Sequence, residues 1–156
     1  MMTLTRHIDA DLAYPVMAFR TTGDIEYFDD ECWFTDFQAW VLDGGILIGL
    51  ELVDNDGEQW FVRAVDVHEP PPLRWWHIVR RLLIPTFRAD LWLEKGSHVA
   101  FDVVRQRVCD RSVIDFRAMG EDDEQIRELL DSLADTQTNG DISHILGLAD
   151  WGGFHP

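Results

Sequence analysis

The chain is poor in cysteine, poor in positive charge, and has no long apolar run. Cys32 and Cys109 are its only cysteines among 156 residues. Two cysteines exclude the disulfide-stapled framework of a small secreted domain, and their separation matches no metal-binding spacing. Glu31 precedes Cys32, and an adjacent carboxylate disfavours the reactive thiolate. Both cysteines are therefore expected to be reduced, buried and structural. No stretch approaches the roughly 20 apolar residues of a membrane-spanning helix. The first fifteen residues carry Asp9 and Asp11 and no apolar run, so they do not read as a secretion signal. The cytoplasm is the expected location.

Catalytic signatures are absent as well. The chain has no GxGxxG, P-loop, GxSxG or HExxH pattern. Its six histidines (His7, His68, His77, His98, His144 and His155) never fall at HxH or HxxxH spacing. No catalytic residue, metal ligand or cofactor site is expected. His68-Glu69 and His98 near Asp102 are the nearest approaches to an acid–base pair. Asp54-Asn55-Asp56-Gly57 suggests a calcium loop, but the register fails. With Gly57 at the sixth position, the first ligand falls on Leu52 and the twelfth on Arg63. The stretch reads better as a hairpin turn.

What is present fits one globular α+β domain over residues 1–156, with 46% apolar and 27% charged residues. Val16–Phe19 and a segment from Ile25 read as strands. So do Trp33–Leu42 and, after the Asp43-Gly44-Gly45 turn, Ile46–Val53 with a bulge near Gly49. Gln59–Val67 alternates, with Trp60, Val62, Ala64 and Asp66 on one side. These segments predict a mainly antiparallel sheet, a meander in the first half. Pro70–Pro72 end it, and an amphipathic helix is expected near 73–84, with its apolar face packed on the sheet. Arg88–Leu93 reads as a strand that turns at Glu94–Ser97. The β-branched run His98–Val108 and the stretch 112–119 favour a second hairpin, although Ala100, Val103, Val104 and Arg107 also share a helix face. Two C-terminal helices are expected near 121–134 and 141–148, the second capped by Asp141.

Charge is unevenly distributed. Residues 1–73 sum to −12 (three basic, fifteen acidic), 74–117 to +4 (nine and five), and 118–156 to −8 (one and nine), which gives the total of −16. The basic middle segment is expected to meet the acids of both flanks in salt bridges. The surplus acid disfavours nucleic acid and anionic lipid as partners. Asp29, Asp30, Glu31 and Asp36, and the turn with Asp54, Asp56 and Glu58, are interleaved with Trp33 and Trp60. Aromatic anchors beside steering carboxylates form the expected surface for a basic protein partner.

In size, acidity and lack of motifs the chain resembles the immunity proteins with which bacteria neutralise toxins. No motif carries that resemblance. It implies an inhibitor whose partner is a basic toxin or nuclease. The alternative is a small-ligand protein or enzyme with an aromatic-lined pocket under a curved sheet, since seven Trp and nine Phe are available.

Overall fold

The computed structural model describes residues 3–34, 36–38, 41–42, 44–68 and 86–147. The side chains of residues 32, 33, 36, 38 and 86 fall outside that description. The helix expected near 73–84 also lies outside the described residues.

The fold is α+β: an antiparallel sheet followed by three helices. The strands are β1 (Leu4–Arg6), β2 (Val16–Phe19), β3 (Ile25–Phe28), β4 (Asp36–Gln38), β5 (Glu51–Val53), β6 (Glu58–His68) and β7 (Thr86–His98). Their order is β1-β7-β6-β5-β2-β3, and β4 also pairs with β7. β1 meets β7 at residues 92–94 and β4 meets it at 86–88, so the two short strands share the edge of β7 that β6 leaves open.

Alternation along each central strand serves two cores. Val16 and Ala18 of β2, Phe28 of β3 and Leu52 of β5 join one cluster, with Phe34, Phe37, Trp60, Val62, Leu91 and Leu93. Met17 and Phe19 of β2, Tyr27 of β3 and Val53 of β5 join the other. A strand buried on both faces reads as an unbroken apolar run. That is why Val16–Phe19 shows no polar side.

The helices cover the second core. They are α1 (Phe101–Met119), α2 (Asp123–Ala134) and α3 (Asn139–Leu146). Val104 and Val108 of α1, Leu133 of α2 and Ile142 of α3 are its buried contributions. α1 replaces the expected second hairpin. Its valines at 104 and 108 stand one helical turn apart and find β2 and β3 to pack on, so burial overrides the β preference of the run. It ends at Gly120, whose φ is 87°. The Gly120 N–H donates to the Arg117 carbonyl and the Glu121 N–H to the Phe116 carbonyl. A left-handed residue closing the last turn in this way favours glycine.

The C-terminal helices appear where expected, with a difference in capping. Asp122 caps α2 reciprocally with Gln125. Thr138, not Asp141, is the N-cap of α3. Asp141 lies at the third helical position and accepts from the N–H groups of Gln137 and Thr138, at 3.0 and 2.9 Å, which completes a capping box.

Three strand readings change. The Trp33–Leu42 stretch is not one strand: a 3-10 turn spans Glu31–Phe34, and β4 is only Asp36–Gln38. Residues 44–49 form turns, and only Glu51–Val53 is strand. Just before β5, the Gly49 N–H donates to the Val62 carbonyl at 2.8 Å and the Leu50 carbonyl accepts from the Val62 N–H at 2.9 Å. Finally, β7 runs through the expected Glu94–Ser97 turn. Its register with β6 shifts between Glu58 and Trp60, so the polar residues there sit in a long irregular strand. A second shift between Val62 and Ala64 resets the alternation of β6. Val65 rather than Ala64 then packs on the same core as Trp60 and Val62.

Candidate functional site

The expected binding surface divides into two parts. Asp29, Asp30 and Glu31 are exposed where β3 leads into the 3-10 turn. Trp33 belongs to that turn and Asp36 opens β4. The second part is the β5–β6 hairpin. Met17 pairs with Val53 and Val16 with Phe28, so Asp29 and Asp54 leave the same end of the sheet on either side of β2. Two strand spacings, about 10 Å, separate them.

Most of the hairpin group is structural. Asp54 is 3% exposed. Its Oδ1 accepts from the N–H groups of Asp56 and Glu58, at 3.0 and 2.8 Å, and its Oδ2 from that of Ala13 at 3.3 Å. This side chain shapes the turn and ties it to the segment before β2, and it offers nothing to a partner. Trp60 is 7% exposed and packs in the first core. It is therefore no surface anchor. Glu58 is held by the Lys95 ammonium at 2.6 Å, and its carboxyl lies below the usual range because of that bond. Asp56 alone of this group stands exposed at the tip. Sequence spacing could not separate these roles, because Asp54 and Asp56 look alike until the turn closes.

The expected meeting of the basic middle with acidic flanks is found for the first flank, whereas among the described residues no ion pair reaches the acids of the C-terminal flank. Arg107 of α1 donates to both oxygens of Glu51 on β5, at 2.7 and 2.9 Å, and lies 3.8 Å over the Phe19 ring. Burial alone raises the Glu51 carboxyl, but the bonds from Arg107 and Gln59 outweigh it and bring the pKa below the ordinary value. Arg111 bonds Asp24 at 2.6 Å and Asp115 at 2.9 Å. Arg20 faces the buried Glu26 at 2.8 Å, Arg105 faces Asp102, and Arg63 faces Glu94.

One exposed face among the described residues is acidic. α2 presents Asp123, Glu124, Glu128 and Asp131 to solvent with one basic residue, Arg127. Asp135 and Asp141 continue that face past the helix and border a groove of about 470 Å3 with His144.

The histidine pairings differ from those expected. Asp102 is taken by Arg105 rather than His98. His68 faces Asp90, on the neighbouring strand, at 3.0 Å. His7, which no motif singled out, is 3% exposed. Burial lowers its pKa, although the charges of Asp90 and Glu31 oppose this. Cys109 is free and half-buried, and burial pushes its thiol up, as suits an unreactive side chain.

Among the described residues no group of His, Cys, Asp and Glu is placed to hold a metal ion. Nor is any described helix long and apolar enough to cross a membrane. Phe28 and Phe34 lie 4.3 Å apart, and with Phe37 and Trp60 they fill the first core. Comparison with protein-family models, curated proteins and solved structures finds no match to this chain.

Proposed function

We propose that this chain is an acidic protein-binding module, an inhibitor in the manner of immunity proteins, that docks a basic protein partner. The contact surface in this reading is the loop with Asp29, Asp30 and Glu31, continuing through Trp33 and Asp36, and flanked by Asp56 at the hairpin tip. Asp54, Glu58 and Trp60 act behind it as supports.

One observation carries the reading. Arg20, Arg63, Arg105, Arg107 and Arg111 are bonded to acids within the fold, in a chain of net charge −16 whose Asp29, Asp30, Glu31 and Asp56 are exposed. A surface of one sign raises the encounter rate with an oppositely charged protein and excludes like-charged ones.

The test starts with a tagged pull-down from source cells, eluted with a salt gradient. The eluted protein is then purified and titrated against the chain and against the triple variant Asp29→Lys, Asp30→Lys, Glu31→Lys. A basic partner whose affinity falls at least about tenfold in the variant, with a shallower salt dependence, supports the reading. Equal affinity for both chains, or no basic protein retained, sinks it.

A further inference from the structure

A second feature lies at the other end of the β6–β7 ribbon. Glu58 pairs with His98 at the hairpin end, and His68 with Arg88 at the far end. Ten residues of β7 separate them, roughly 30 Å at strand rise. There a pocket of about 410 Å3 is bordered by Arg6, His7, His68, Arg88 and Asp90, with Ile8 as an apolar wall.

The charge of this pocket departs from that of the chain. Its carboxylate, Asp90, is already within hydrogen-bond distance of His68 at 3.0 Å and lies 3.9 Å from Arg6. Arg88 is exposed and makes no ion pair among the described residues. Arg117 and Arg127 are also exposed, but on helices, whereas Arg88 borders a concavity. An uncommitted guanidinium in a recess is a fork-shaped donor suited to a carboxylate or phosphate group.

A second, independent observation lies in the same wall. The His7 Nδ1 accepts the Leu91 N–H at 3.1 Å, so the proton of the neutral ring sits on Nε2. That Nε2 is buried and has no acceptor among the described residues. A buried donor without an acceptor is uncommon in native proteins, and a bound ion or water is one explanation for it.

We propose that this pocket binds a small organic anion. Its carboxylate or phosphate group lies against Arg88 and His68, beside the wall that His7 forms, and its apolar part lies along Ile8. A cation is disfavoured, because the pocket's carboxylate already lies beside His68 and Arg6. Nucleic acid is disfavoured, because one recess in an acidic chain cannot follow a phosphate backbone. The site is independent of the protein-partner reading.

Inorganic phosphate and acetate are the probes, titrated at constant ionic strength while NMR follows the arginine Nε–H and histidine ring signals. Saturable shifts confined to Arg88, His68 and His7, with apparent affinity at least tenfold weaker in Arg88→Ala and partly kept in Arg88→Lys, are expected. Tighter binding of phosphate than of acetate assigns a phosphorylated ligand, and the reverse assigns a carboxylate. Both side chains are exposed at the rim, so Arg88→Ala and Arg88→Ala/His68→Asn should remain folded, which circular dichroism checks. Shifts that fail to saturate with both probes, or that persist unchanged in the double variant, overturn the proposal.

Discussion

At the scale of single residues, the difference between a binding carboxylate and a structural one is decided by backbone geometry. Asp54 receives three N–H groups and is nearly inaccessible. Asp54→Ala strands those donors, and a loss of about 2–3 kcal/mol is expected in urea unfolding. Asp54→Asn keeps one oxygen for the turn and should lose less than half as much. If the alanine variant were as stable as the parent, the side chain would not be shaping the hairpin. Glu26 makes a second residue-scale case. Burial pushes its carboxyl up to about 7, even though Arg20 pulls it down, from an ordinary value of 4.5. A native group that holds its proton more tightly than the unfolded chain favours the native state fully below 4.5, and that contribution is lost as pH rises through about 7. The span corresponds to on the order of 3 kcal/mol. Glu26→Gln should flatten stability between those pH values, and unfolding curves at several pH values give the slope directly. Neither role was legible beforehand. Asp54 was read as part of a surface because three acids in a turn look equivalent. Glu26 falls inside the strand expected from Ile25, but nothing in the sequence marks it as buried.

At the scale of elements, the sequence was informative where the pattern was local. The Asn55-Asp56-Gly57 turn, β2, β3 and the two C-terminal helices follow from turn chemistry and capping residues within a few positions. α1 is not legible in the same way, because Val104 and Val108 are held helical by the core they pack on, while Val103 and Ile114 stand exposed. The cationic edge of α1 adds the rest. Arg105 donates to the Thr136 carbonyl at 2.9 Å, and Arg107 and Arg111 reach β5 and the β2–β3 turn. The fork geometry on Glu51 makes Arg107 the strongest of these docking points. Arg107→Ala is expected to cost about 2 kcal/mol in chemical unfolding, since charge-assisted bonds contribute roughly 1.5–3 kcal/mol. Arg107→Lys should recover only part, because an ammonium cannot bond both oxygens in the same plane. A double-mutant cycle with Glu51→Gln separates the pair from the Phe19 contact, and additive losses would mean that the two side chains act independently.

At the scale of the whole molecule, charge sets two responses of opposite sign. The Arg107–Glu51 pair that joins α1 to the sheet is partly buried and weakly screened, whereas the acids of α2 stand in solvent. The net charge of −16 is legible in the sequence, and so is the meeting of its basic middle with the acids of the first flank. Which acids stay outside is not, because that depends on strand order and on where α1 lies. Raising salt from roughly 10 mM to roughly 150 mM shortens the screening length from about 30 to about 8 Å. Repulsion among the exposed acids should then fall faster than attraction within the buried pairs, so the fold gains on the order of 1 kcal/mol. A basic partner steered by the same exposed acids responds the other way, and its association slows over that range. Unfolding midpoints and association rates measured in the same buffers therefore diverge if one acidic surface governs both. If stability fell along with the association rate, surface ion pairs would dominate the electrostatics of the fold, and the exposed acids would be neutralised at home instead of presented to a partner.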